Sequence, residues 1–232
     1  MSAELSACVP LLERVRTKKV SIAACPSENV AVQQIRGLVQ SVFLPGWPRP
    51  AHQVVFSATD EYSDAGPLCI QSAELLARES NLKVCLVEAN FRQPTLEQSF
   101  GGTCSGGAAL GPAPETLRKS SRQIQNNLWF VPRDLFFGVP ENATNLPWLR
   151  CRLGELRREF DYSVIHGSPA DKSGSLLAHL VDGLILTVDA ERTRRVTALR
   201  VRNQLVASNV RLLGAVLLAR SFPIPERLYR RL

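Results

Sequence analysis

The sequence predicts an α/β protein: a doubly wound, mostly parallel sheet flanked by helices. Two observations carry this prediction. The runs Gln53–Ala58, Lys83–Glu88, Leu128–Pro132, Tyr162–His166, Gly183–Val188 and Leu212–Leu218 are almost continuously apolar, as strands buried on both faces must be. Segments with helical apolar spacing lie between them, and alternating strands and helices are the signature of crossover connections in a parallel sheet. Composition agrees with this reading. A chain of 232 residues with 45% hydrophobic content can bury a full core without disulfides or a structural metal, which excludes wholesale disorder.

The elements follow in order. Glu28–Phe43 reads as a helix, and Pro45-Gly-Trp-Pro-Arg-Pro50 breaks the pattern after it. Residues 1–48 are therefore expected to form an N-terminal arm and helix, and residues 49–232 the main domain. Leu68–Ser80 carries Leu68, Leu75, Leu76 and Ala77 at helical spacing. Gly101–Pro114 is rich in glycine, proline and small residues and reads as a loop; its Gly-Gly pairs fall outside a strand–helix junction, so they read as linker. Leu146–Phe160 places Leu146, Leu149, Leu153, Leu156 and Phe160 on one side and arginines on the other. Thr193–Ser208 carries Val196, Leu199, Val201, Leu205 and Val206 at helical spacing. Right-handed crossovers bring all the parallel strand C-termini, and any ligand site, to one edge of the sheet.

Several function classes are excluded or disfavoured. No apolar run approaches the roughly 18 residues of a membrane span, and the N-terminus lacks the cationic start and apolar block of a secretory signal. The six cysteines (Cys8, Cys25, Cys69, Cys85, Cys104 and Cys151) are scattered without a CxxC, which predicts reduced thiols and a cytoplasmic protein. His52, His166 and His179 have no partners at metal-ligand spacing, so no metal site is expected. The net charge of +7 permits an anionic partner. Few aromatics and no recognition motif argue against nucleic acid.

In this architecture a phosphate site belongs after the first strand, where backbone N–H groups of a glycine-rich loop and a helix N-terminus converge. The connection here reads Thr59-Asp-Glu-Tyr-Ser-Asp-Ala-Gly-Pro67. With its flanks, FSATDEYSDAGPLCIQSAELLA, it resembles the strand, Walker A loop and helix of the bacterial tyrosine kinases of capsule and exopolysaccharide synthesis, within the MinD- and ParA-like P-loop ATPases. KVCLVEANFRQPTLEQSFG resembles the second strand of those kinases, DYSVIHGSP their Walker B strand, LVDGLILTVDAERTRR the next strand and helix start, and RLLGAVLLARSFPIPERLYRRL their closing strand and tail. The resemblance runs from about Glu28 to the C-terminus. It implies a P-loop-NTPase-like fold for residues 49–232.

The chain departs from the family where the family does its chemistry. The resemblance implies a Gly-Lys-Ser/Thr loop whose lysine meets phosphates and whose hydroxyl meets magnesium; this chain has Asp64, Ala65, Gly66, Pro67 and Leu68 there, with no lysine between Arg49 and Lys83. A charge-assisted hydrogen bond is worth about 1.5–3 kcal/mol, so loss of the lysine alone predicts ATP weaker by about one to two decades. The family's Asp-Ala-Asp is Glu88-Ala89-Asn90, its Walker B aspartate is His166, and its adenine-holding asparagine is Leu218. Imidazole is a poor magnesium ligand, and Asn90 cannot take a proton. The Glu-x-x-Arg-x-x-Arg ring-forming helix aligns with Val30, Gln33 and Arg36, so only its last residue survives, and the terminal tyrosine cluster is reduced to Tyr229.

Asp60, Glu61 and Asp64 read as a solvated loop rather than a cation site; His166 reads as a strand-end histidine satisfied by its neighbours rather than a base; Glu88 and Asn90 read as a structural pair. Arg92-Gln-Pro-Thr95 reads as a turn. The arginines of Leu146–Phe160 and Thr193–Ser208 read as solvated faces, with an acidic membrane or partner as the sharper alternative. Taken together the resemblance and its departures imply a non-catalytic, pseudokinase-like cytoplasmic regulator or scaffold of exopolysaccharide synthesis and export. No cofactor is expected. Its expected partners are a membrane polysaccharide co-polymerase or export protein and an active kinase paralogue, engaged through Arg36 and the tail residues Arg220, Arg227, Tyr229, Arg230 and Arg231, with peripheral association at the inner membrane. The alternative is a divergent but active ATP-dependent tyrosine kinase or ATPase that uses Glu88, with ATP and magnesium as cofactors. A MinD-like positioning protein is disfavoured by the kinase-like tail.

Overall fold

A computed structural model describes residues 21–22, 28–44, 50–100, 117–170 and 175–219. The strands are β1 (Ser21–Ile22), β2 (Gln53–Ala58), β3 (Val84–Ala89), β4 (Arg122–Gln125), β5 (Leu128–Val131), β6 (Tyr162–Gly167), β7 (Gly183–Asp189) and β8 (Leu212–Leu218). They form a single sheet in the order β1-β8-β7-β2-β6-β3-β5-β4. All neighbours are parallel except β4, which runs antiparallel to β5. The expected doubly wound, mostly parallel sheet is therefore present.

The helices are α1 (Glu28–Val42), α2 (Gly66–Ser80), α3 (Thr95–Phe100), α4 (Leu117–Ser120), α5 (Arg133–Phe137), α6 (Leu146–Glu159), α7 (Ser175–Ala178) and α8 (Arg195–Ala207). Strand residues alternate between two cores, one on each sheet face. Val54, Phe56, Val84, Leu86, Val164 and Ile185 join α1 and α2 on one face. Val55, Cys85, Val87, Ile165, Leu184 and Leu186 join α5, α6 and α8 on the other. Period-2 alternation with both sides apolar is what makes β2, β3 and β6 read as continuous hydrophobic runs. The N-terminal helix α1 is tied to this body: Ile35, Val39, Val42 and Phe43 are buried in the same core as β2 and α2.

Two strands were not foreseen. β4 is Arg-Gln-Ile-Gln, mostly exposed, and pairs with β5 around an Asn126-Asn127 turn. An edge strand with a polar sequence has no apolar period to reveal it. β1 is only two residues long.

The strand starts opposite the site are fixed by carboxylates. Asp182, ahead of β7, accepts the backbone N–H groups of His52 (2.9 Å) and Gln53 (2.8 Å) and the guanidinium of Arg157 (2.6 Å). Asp161 accepts Lys83 N–H at 2.8 Å. Burial alone would raise the Asp182 carboxyl, but the hydrogen bonds from Gln53, His52 and Arg157 together hold it below the ordinary 3.8. A depressed folded-state value contributes stability above the unfolded value, and that stability is lost as pH falls through the folded one. Asp182→Asn should therefore lower stability at neutral pH and flatten the acid limb below 3.8, as read from denaturant midpoints across pH.

Candidate functional site

The C-terminal ends of β2, β3, β6 and β7 meet at one edge. Parallel pairing fixes their register: Glu88 lies opposite His166, and Ala58 opposite Thr187. The connection after β2 is drawn onto β7 and its following loop. Thr59 donates from both N–H (3.0 Å) and hydroxyl (2.6 Å) to the Thr187 carbonyl. Asp60 accepts from the Ser63 hydroxyl (3.0 Å), Tyr62 N–H (3.1 Å) and the Thr193 hydroxyl (2.8 Å). Glu61 pairs with Arg92 at 2.9 Å. Asp60 and Asp64 thus hold the loop together rather than standing as solvated acids.

Asp64 sits at the start of α2. Its Oδ1 accepts Gly66 N–H at 2.8 Å and the Thr95 hydroxyl at 3.0 Å. A carboxylate at a helix N-terminus is favoured by the macrodipole, by about 0.3–1 kcal/mol. Pro67 contributes no donor there, and Leu68 is buried behind it. The closure is tight at Gly66, where a Cβ would stand 2.4 Å from Thr95 Oγ1 and 3.0 Å from Asp64 Oδ1.

Behind the loop lies a buried polar pair. Glu88 has no exposed surface and His166 is only 1% exposed. Glu88 Oε1 accepts Asn90 N–H at 3.0 Å, and Oε2 accepts Leu96 N–H at 3.0 Å. His166 Nδ1 lies 2.9 Å from Oε1. Both carboxylate oxygens are acceptors, so Nδ1 carries the hydrogen that joins them. His166 Nε2 faces Asp64 Oδ1 at 3.7 Å and Asn90 Nδ2 at 3.5 Å. Asn90 Oδ1 accepts the N–H groups of Arg92 and Gln93 at 3.0 and 3.2 Å, which shapes the turn anticipated at Arg92–Thr95. Ser168 closes the layer: its hydroxyl accepts Phe91 N–H (3.2 Å) and its carbonyl accepts the Ser57 hydroxyl (2.5 Å).

Cys69 is buried in the core shared by α1 and α2, and burial first, then the negative Glu88 and Asp64, push its thiol well above its ordinary value. Thr95, Ser168, Thr59 and Thr193 were not singled out by sequence. Thr95 alone carried a signal, as the last residue of the turn.

The remaining anticipated residues are dispersed. Leu218 ends β8, partly buried, with its carbonyl accepting Ala190 N–H at 2.9 Å. Arg36, on α1, pairs with Glu79 at the end of α2. Arg220, Arg227, Tyr229, Arg230 and Arg231 lie outside the described residues. No helix among the described residues is long and apolar enough to cross a membrane, and no cluster of metal-ligating side chains occurs among them.

No family model matches the sequence, and no curated protein matches it. Solved structures do match. The chimerical protein CapA2B2 superposes with a TM-score of 0.67 at 15% identity, over 90% of this chain and 99% of that one. The BceF tyrosine kinase domain gives 0.65 at 19% identity, over 94% and 90%. The kinase domain of the Escherichia coli tyrosine kinase ETK gives 0.64 at 16% identity, over 84% and 79%. A chain of the MinC:MinD cell division protein complex of Aquifex aeolicus gives 0.58 at 16% identity, over 78% and 72%. The chain thus has the P-loop NTPase fold of the MinD and ParA type, in the form shared by bacterial tyrosine kinase domains.

At the site itself, His166→Ala should remove a donor from fully buried Glu88 and cost about 1–3 kcal/mol. Urea unfolding would register the loss as a lower midpoint with an unchanged slope.

Proposed function

We propose that this chain is a non-catalytic relative of the capsule and exopolysaccharide tyrosine kinases, acting as a cytoplasmic regulator or scaffold beside a membrane polysaccharide co-polymerase or export protein. One observation carries the reading: the Asp64 carboxylate occupies the Gly66 N–H and the Thr95 hydroxyl, the kind of donors that a nucleotide phosphate would need. The site offers acceptors where phosphates require donors. Glu88 supports the same conclusion. Its two oxygens are committed to Asn90 N–H, Leu96 N–H and His166, which leaves it poorly placed to hold magnesium or take a proton. ATP with magnesium does not fit this donor set. The likeness to kinase domains without kinase chemistry favours a role in assembly, with the arginine-rich tail 220–232 as the contact to the partner or to an active kinase paralogue.

Calorimetric titration with ATP and magnesium should show no binding tighter than about 100 µM, and the purified chain should show no ATP turnover. Tighter binding, or turnover abolished by Glu88→Ala, would overturn the reading. A pull-down of the detergent-solubilised co-polymerase should succeed with the full chain and fail when residues 219–232 are removed; equal recovery would exclude the tail as the contact.

A further inference from the structure

Helix α8 has two faces that differ in what covers them. Val201 and Leu205, four apart, are buried against the sheet among α6 residues. The other side carries Val196, Leu199 and Val206, three and ten residues along, which are 74%, 37% and 47% exposed. At 3.6 residues per turn these three fall in one stripe along a helix about 20 Å long, with exposed Asn203 inside it accepting from the Arg202 guanidinium. Arg195 and Arg202 border the stripe on one side and Arg200 on the other. The helix holds no acidic residue. Among the described residues no carboxylate pairs with Arg195 or Arg200. In the same layer the acids of α6 are engaged, Glu155 with Arg152 and Glu159 with the N–H groups of Leu117 and Arg118. Asp182 is likewise held by Arg157. The helix around the apolar stripe is therefore cationic, and the exposed Glu191 of the preceding turn is the nearest acid in sequence.

We infer that the outer face of α8 is a docking surface for an anionic phospholipid bilayer, with Val196, Leu199 and Val206 entering the headgroup boundary and Arg195, Arg200 and Arg202 meeting lipid phosphates. Apolar residues alone would suit many partners. An apolar stripe bordered by arginines on both sides, on a helix without acids, is complementary to a surface that is apolar in depth and anionic at its rim. The chain's own segment 220–232 is a poor occupant, since its four arginines and single glutamate repeat the charge of α8. The inference goes beyond the scaffold reading and is independent of it, because it needs neither the absence of catalysis nor a protein partner.

Sedimentation of the full chain with extruded vesicles tests it. Binding is expected to phosphatidylcholine vesicles containing phosphatidylglycerol and not to phosphatidylcholine alone. Each of Arg195→Gln, Arg200→Gln and Arg202→Gln should lower the partition coefficient about fivefold. Val196→Ser with Leu199→Ser should lower it further at fixed charge, with a cooperative thermal unfolding transition retained. Absence of binding to anionic vesicles would overturn the inference. So would binding indifferent to the α8 substitutions, or binding that follows the arginines but ignores the Val196/Leu199 pair. Retention on an immobilised polyglutamate peptide without vesicle binding would overturn it in favour of an acidic protein segment. Vesicle binding with intact ATP turnover would leave this inference standing while the non-catalytic reading fell.

Discussion

Glu88 is a carboxylate with no exposed surface, and burying such a group without partners would cost several kcal/mol. The elements around it are arranged to supply those partners. Its own strand ends in a turn that returns Asn90 N–H; α3 directs Leu96 N–H at the second oxygen; β6 contributes His166 from the facing register position. Once α3 is docked in this way, Thr95 at its start reaches Asp64, and Asp64 closes the loop over the N-terminus of α2. The shape of the whole strand-end edge thus follows from satisfying one buried acid.

The same closure explains how the edge can be acidic and stable at once. Asp60, Asp64 and Glu88 are spread over separate donors, and each answers a specific backbone N–H or hydroxyl. Exposed Glu61 is balanced by Arg92, a surface pair of small individual worth. A phosphate-binding edge concentrates donors and leaves them free for a ligand. Here the donors and acceptors come from one chain and satisfy each other.

Fold and site were legible to different degrees. The parallel strands announced themselves, because burial on both faces leaves Val54–Ala58 or Val84–Val87 no reason to alternate with polar residues. β4 stayed hidden, since Arg122, Gln123 and Gln125 face solvent and edge pairing needs only backbone. At the site, the residue types of Glu88, Asn90 and His166 were readable as departures from a nucleotide-binding pattern, but their union was not. Glu88 and His166 are 78 residues apart, and only the β3–β6 register brings them to 2.9 Å. Asp64 looked like a solvated acid for the same reason: its partner Thr95 comes from a different crossover.

The strand order has a consequence for how the chain is made. β2 lies between β6 and β7, β3 lies between β5 and β6, and β1 is beside β8. No two of the first three strands touch. As the polypeptide leaves the ribosome, everything through Ala89 therefore waits with its sheet edges unpaired until the second half arrives, and β2 is not enclosed until β7 has emerged. Long-range pairing of this kind folds slowly, and apolar strands left open are targets for premature association. Among the described residues the first half has no two strands that pair with each other, so its apolar strand edges stay open to association during synthesis.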